Sequence, residues 1–235
     1  MGERGAIRVL QRTVDALVAA TLAPSCVVCR STLDTPTGGC VCPTCWVAAI
    51  PPLHAAAAHA WTTAHITIGI SAGRYEGALR EIIHAFKYEG RRTLATRLGG
   101  FIRDAGQSIL CDCDCVVPVP LHPYRRMRRG FNQARDLAER LDRPVTNALW
   151  RTRATPAQMA LAAAARHSNV RGAFVVSPLL ICGARLYGVR IPSLKDRTIV
   201  LVDDVRTTGA TMDECARVLL AAGAREVRGL TIAFA

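Results

Sequence analysis

Residues 197–211 read Arg-Thr-Ile-Val-Leu-Val-Asp-Asp-Val-Arg-Thr-Thr-Gly-Ala-Thr, and the order of their chemistry decides the fold. The apolar, β-branched run at 198–202 has the composition of a strand buried in a parallel sheet. Two adjacent carboxylates, Asp203 and Asp204, stand at its carboxyl end. A small, hydroxyl-rich turn follows, made of Arg206, Thr207, Thr208, Gly209, Ala210 and Thr211. Beyond it Met212, Cys215, Ala216 and Leu219 recur at helical spacing, and Gly223 is placed to stop the helix. Strand, acidic pair, loop and helix form one unit of an open α/β sheet. Ligands of such sheets sit at the carboxyl ends of the strands.

A helix amino terminus offers unpaired N–H groups and the positive end of a dipole, so it binds phosphate. Gly209 removes the Cβ that would hold an anion off the backbone, and the three threonines add hydroxyl donors. Asp203 and Asp204 would repel a phosphate, but they accept hydrogen bonds from vicinal sugar hydroxyls. A ribose 5-phosphate presents both features, a diol on one side and a phosphate on the other. The stretch resembles the ribose-phosphate signature of type I phosphoribosyltransferases. Arg206 departs from it, standing where the pattern usually has an aliphatic residue.

Working outward, residues 66–73, 116–120, 174–177 and 227–234 read as strands. Residues 75–88, 94–102, 133–141 and 160–165 read as helices, and 181–192 as an irregular insertion. Strands alternating with helices predict a largely parallel sheet with helices on both faces. Lys87 opens a basic turn that holds Tyr88, Arg91 and Arg92, while His84 reads as an ordinary helix residue. Pro118 and Pro120 end a strand in a rigid turn. The turn after them, 121–130, carries Arg125, Arg126, Arg128 and Arg129 beside Tyr124. Such arginines grip a pyrophosphate or clamp a single-stranded nucleic acid; a solvated basic loop has the same composition.

The front of the chain holds Cys26 and Cys29, then Cys42 and Cys45, as two Cys-x-x-Cys knuckles twelve residues apart. Two knuckles supply four thiolates for one tetrahedral structural zinc, and so short a polar segment needs such a staple. A redox pair is the alternative. Cys40 reads as a bystander, and Cys111, Cys113 and Cys115 as packing or loop residues.

Of the 235 residues half are apolar, enough for one substantial core and a small module. The net charge of +12 and a pI near 9.8 point to phosphorylated metabolites or nucleic acid as partners; an alanine- and arginine-rich composition alone would also produce them. No run of about 18 apolar residues predicts a membrane span. Arg4, Arg8, Arg12 and Asp15 interrupt any signal-peptide core, so the chain reads as cytoplasmic. The expected organisation is an amphipathic helix over 1–25, packed on the protein through Val9, Leu10, Val14, Leu17 and Val18. A zinc ribbon and junction follow over 26–60, and a phosphoribosyltransferase-like domain over 61–235.

Several further motifs fall in one order. They are the cysteine knuckles, Phe86-Lys87-Tyr88, 117–121 (Val-Pro-Val-Pro-Leu), and 129–133 (Arg-Gly-Phe-Asn-Gln). Gln158 with Arg166, Asn169-Val170 and Gly172-Ala173-Phe174 come next, before the central stretch. In this order they resemble the competence protein F (ComF) family across nearly the whole chain. The resemblance implies a zinc ribbon joined to a type I phosphoribosyltransferase fold. It implies a site for 5-phosphoribosyl pyrophosphate, with Mg²⁺ if the protein is catalytic. It also implies an accessory role in DNA uptake or DNA metabolism, with single-stranded DNA on a basic surface and a DNA-uptake or helicase protein as partner. Two functions fit: such an accessory protein, and an active phosphoribosyltransferase that transfers phosphoribosyl from 5-phosphoribosyl pyrophosphate to a nucleobase or amine and releases pyrophosphate. No stretch of the sequence specifies an acceptor pocket.

Overall fold

The computed structural model describes residues 3–50, 58–153, 170–177, 185–186, 189–190 and 193–235. Gln158, Arg166, Asn169, the helix expected at 160–165 and most of the proline- and alanine-rich junction at 51–58 lie outside them.

The chain opens with α1 (Glu3–Leu22), a 3-10 turn at Pro36–Gly38 and α2 (Pro43–Ala49). Then come β1 (His59–Trp61), β2 (Gly69–Arg74), α3 (Gly77–Tyr88), α4 (Leu94–Ala105) and α5 (Gln107–Leu110). Next are β3 (Cys115–Pro118), α6 (Pro123–Arg129), α7 (Gln133–Ala138), β4 (Leu149–Arg151) and β5 (Phe174–Val176). After the short pair β6 (Arg185–Leu186) and β7 (Val189–Arg190), the chain forms β8 (Thr198–Arg206), α8 (Ala210–Ala221) and β9 (Glu226–Phe234).

The main sheet has five strands in the order β1-β2-β9-β8-β3. β1 runs antiparallel to β2, and every other pairing is parallel. Residues 198–202 of β8 are all buried, as expected for a strand covered on both faces. Successive side chains go to opposite faces. Ile199 and Leu201 pack with Met212, Cys215 and Leu219 of α8. Val200 and Val202 pack with Ile82, Ile83 and Phe86 of α3 and with Leu98 and Ile102 of α4. β4 and β5 form a separate antiparallel ribbon whose Leu149 and Phe174 join the α8 side.

Three expectations change. The basic stretch at 121–130 is a short helix, α6, and not a turn. His122 Nδ1 accepts the Tyr124 N–H, Pro123 fits the first helical turn, and Gly130 ends the helix at φ +75°. Helix α1 does not pack through its apolar stripe: Leu10 is 66% and Leu17 67% exposed. Its anchor is the buried Asp15, whose Oδ1 accepts from the Thr37 N–H at 2.9 Å and the Thr37 hydroxyl at 2.6 Å. The strand expected from residue 66 begins at Gly69, leaving 62–68 as a connector along β9.

The cysteine-bearing segment has no core of its own. Cys26, Val27, Leu33, Val41, Cys45 and Trp46 belong to the same buried cluster as α3 and α4, and the Arg97 guanidinium lies 4.6 Å from the centre of the Trp46 ring.

Candidate ribose-phosphate site and cysteine cluster

The acidic pair divides across the sheet. Asp204 meets α3, where Lys87 Nζ lies 2.8 Å from its Oδ1 and both side chains are largely enclosed. Burial alone would lower the Lys87 pKa, but the Asp204 charge and hydrogen bond outweigh it and raise it. Asp203 lies on the α8 side, opposite Thr231 of β9. Burial first, and the Asp204 charge second, push its carboxyl up to about 7; Lys87 and Arg151 only partly offset this. Each carboxylate also accepts the next backbone N–H, Asp204 N to Asp203 Oδ1 at 2.8 Å and Val205 N to Asp204 Oδ1 at 2.6 Å. Thr231 in turn hydrogen-bonds Ser71 of β2, so a buried polar row crosses three strands beneath the loop.

The loop turns at Gly209, whose φ of +80° favours glycine, and α8 starts at the next residue. Thr208 Oγ1 accepts the Ala210 N–H at 3.4 Å. In the first turn of α8, Asp213 holds the connector 62–66 against the loop. It accepts from the Thr63 hydroxyl at 2.5 Å and the His65 N–H at 2.9 Å, and its other oxygen lies 3.1 Å from His65 Nδ1. Thr63, His65 and Asp213 were not found by sequence reasoning. They lie about 150 residues apart, and no local spacing signals their meeting.

The four arginines of α6 divide as well. Arg125 and Arg129, four residues apart, are half-buried, whereas Arg126 and Arg128 face solvent. Arg129 lies 4.8 Å from the centre of the Tyr88 ring and donates to Gln133 Oε1 at 3.1 Å. Burial and then the Arg129 charge lower the Arg125 pKa; burial and then the Arg125 charge lower that of Arg151. The charge of Arg129 thus reaches Arg125, that of Arg125 reaches Arg151, and that of Arg151 reaches Asp203. Arg151 had no sequence signature. Lys87, grouped with the arginines by sequence, is instead the counter-ion of Asp204. Arg92 is held by Asp136 through two hydrogen bonds of 2.8 and 2.9 Å.

The motif at 130–133 builds this arrangement. Phe131 packs on Phe86 at 5.7 Å. Asn132 caps α7 through the Ala134 N–H and donates to the Val119 carbonyl. The buried Gln133 donates to the Lys87 carbonyl at 3.3 Å, tying α6 and α7 to the end of α3. Glu214 of α8 similarly accepts the Gly172 N–H at 2.7 Å.

Cys26, Cys29, Cys42 and Cys45 bring their Sγ atoms within 4.8 Å of one another. Cys29 and Cys42 Sγ are 3.8 Å apart. Four sulfurs around a metal at about 2.3 Å stand about 3.8 Å apart in a tetrahedron, so the cluster fits a metal such as zinc. The Val28 and Cys42 N–H groups both donate to Cys26 Sγ at 3.4 Å, as donors to a thiolate do. Cys40 is outside the cluster, and Cys111, Cys113 and Cys115 form no such group among the described residues.

Comparison with known proteins defines the class first. Residues 127–234 match the phosphoribosyl transferase domain family, a stretch that runs from the last residues of α6 through β8, the loop and α8. Competence protein F of Haemophilus influenzae is 32% identical over 166 residues, covering 66% of this chain and 68% of that protein. DNA utilization protein YhgH of Escherichia coli is 33% identical over 172 residues, 68% of each chain. Competence protein ComFC of Bacillus subtilis is 29% identical over 150 residues, covering 63% of this chain and 56% of that one. The chain belongs to the competence protein F family. Among the described residues no helix is long and apolar enough to cross a membrane.

Proposed function

We propose that the chain binds 5-phosphoribosyl pyrophosphate or a related ribose phosphate at the carboxyl end of β8, and acts as an accessory factor in DNA uptake or DNA metabolism. The observation that carries the ligand is Gly209. It turns the backbone at φ +80° into the start of a twelve-residue helix, directly after Asp203 and Asp204. The N–H groups of 207–211 and the threonine hydroxyls would take the 5-phosphate, with Arg206 beside them. The acid pair would take the 2- and 3-hydroxyls. The accessory role rests on relatives named for competence and DNA utilization. Arg126 and Arg128, exposed beside Tyr124, offer a single strand both phosphate contacts and stacking. The cysteine cluster is read as a structural zinc site.

One observation favours a catalytic reading as well. The charges of Arg125 and Asp203 both act on Arg151, and Arg129 acts on Arg125; these arginines would stabilise a departing pyrophosphate. Mg²⁺ would accompany that pyrophosphate and neutralise its charge.

The test is calorimetric titration of 5-phosphoribosyl pyrophosphate with Mg²⁺ into the parent, Asp204→Asn and Gly209→Val, with pyrophosphate release followed in parallel. Losing a hydrogen bond to a charged group lowers affinity by about tenfold to a hundredfold, and Gly209→Val should lose more. Heat without release identifies a binding protein, and release an enzyme. Equal binding by all three folded proteins, or by none, refutes the ligand assignment.

A further inference from the structure

Trp61 occupies a seat made for it. Gly69 of β2 and Gly229 of β9 lie opposite one another, and a Cβ on either would run into the indole. Met212 of α8 reaches the same place, and the tryptophan is 8% exposed. On this ring rests Arg206, its guanidinium 5.0 Å from the ring centre. Its Cδ passes under the phosphate loop, 3.9 Å from where a Cβ on Gly209 would stand. The Arg206 Nε is buried and has no hydrogen-bond partner, nor has Trp61 Nε1. Nη1 reaches only the Thr207 carbonyl, at 3.4 Å. Among the described residues no carboxylate pairs with Arg206. This is also the residue at which the loop departs from the ribose-phosphate pattern.

A guanidinium stays charged in a protein, and a half-buried one without a counter-ion is a seat for an anion. We propose that Arg206, held on the Trp61 ring, selects the charge of the ligand at the phosphate loop, favouring the doubly charged form of a terminal phosphate monoester. The inference rests on the reading of 207–211 as a phosphate cradle. Backbone N–H groups and hydroxyls bind any phosphoryl oxygen. A fixed cation adds an attraction that grows with the ligand's charge, and its planar fork engages two oxygens at once. Trp61 is a positioning residue: it keeps the guanidinium flat beneath the loop, and the paired glycines keep Trp61 in place.

Ribose 5-phosphate is the probe, because its second ionisation falls near pH 6. Its affinity is measured between pH 5 and 8 for the parent, Arg206→Val, Arg206→Lys, Trp61→Phe and Trp61→Leu. His65 against α8, Asp213 in its first turn and Asp203 of β8 lie on this side of the sheet, and His59 and Arg74 lie against Phe234, which pairs with Arg206. The Arg206 variants share all of them with the parent, so differences between profiles isolate Arg206. The parent should gain affinity as the second proton leaves, by about tenfold more than Arg206→Val gains. Arg206→Lys should keep part of the gain. Trp61→Phe should keep most of it, and Trp61→Leu should lose it with Arg206 still present. A profile for Arg206→Val that matches the parent's overturns the proposal and leaves the phosphate site standing. If the parent does not bind ribose 5-phosphate, inorganic sulfate decides. Thermal stabilisation of the parent but not of Arg206→Val supports the anion seat without the ribose site, and equal effects overturn both.

Discussion

Asp203 and Asp204 are adjacent in the chain and belong to different environments. Asp204 looks into the α3 side of the sheet and finds Lys87 at 2.8 Å, so its charge is compensated within the fold. Asp203 looks into the α8 side, where burial and the charge of Asp204 push it up to about 7. One carboxylate is paired with a cation and the other gains or loses a proton near neutral pH. An acidic pair in a sequence is thus two different groups, told apart by which helix each one meets. The α3 side also carries the cysteine cluster through α2 and Trp46, whereas the α8 side carries the connector 62–66 and the β4–β5 ribbon.

The harshest way to break this contrast is to dismantle the cysteine cluster on the α3 side. Structural zinc contributes on the order of 10 kcal/mol of apparent binding free energy in small modules. Purified protein should hold about one zinc per chain. Cys29→Ser should collapse the amino-terminal segment and loosen α3, while amide protons of β8 and β9 remain the slowest to exchange. Freshly purified, reduced protein that contains no zinc refutes this.

Next comes Lys87→Met. It leaves Asp204 enclosed without its cation, which costs about 3–5 kcal/mol. Denaturant unfolding should register that loss, and Lys87→Met with Asp204→Asn should recover most of it. A single variant as stable as the parent means that Asp204 is solvated and the two sides are alike.

The finest test is the pH dependence of Asp203. Its folded pKa lies above its unfolded value, so between about pH 4 and about pH 7 the folded state binds a proton that the unfolded state has lost. Stability from this group therefore falls as pH rises through that window. Asp203→Asn removes the dependence. Relative to the parent it should gain on the order of 2–3 kcal/mol between pH 5 and pH 8, read from urea midpoints at the two values. A constant difference means that Asp203 is ionised throughout.

The sequence reported the central unit because β8 is continuous and buried on both faces, and because Gly209 must adopt a left-handed turn. Both are local requirements. The same holds for Met212, Cys215, Ala216 and Leu219, all buried on one helix face. The basic stretch at 121–130 hid its helix because four arginines resemble a solvated loop. The capping by His122 and Gly130 was the available signal. Helix α1 misled for the opposite reason: its apolar periodicity is real, but Leu10, Val14 and Leu17 are exposed and the buried Asp15 ties the helix to Thr37. Lys87 with Asp204, Asp213 with Thr63 and Arg206 with Trp61 were beyond reach. Each joins strands or helices that only the sheet order brings together.

The position of β9 has a consequence in time. It lies between β2 and β8, and among the described residues β2 pairs only with β9 and the three-residue β1. Ser71 touches Thr231 across 160 residues of chain. This early strand thus waits for the last one before its ladder can close, and parallel pairings of such span form slowly. Until then β2 and the glycine seat of Trp61 present an unpaired edge. Refolding should show a late phase in which Trp61 becomes buried, well after α3 and α4 have formed.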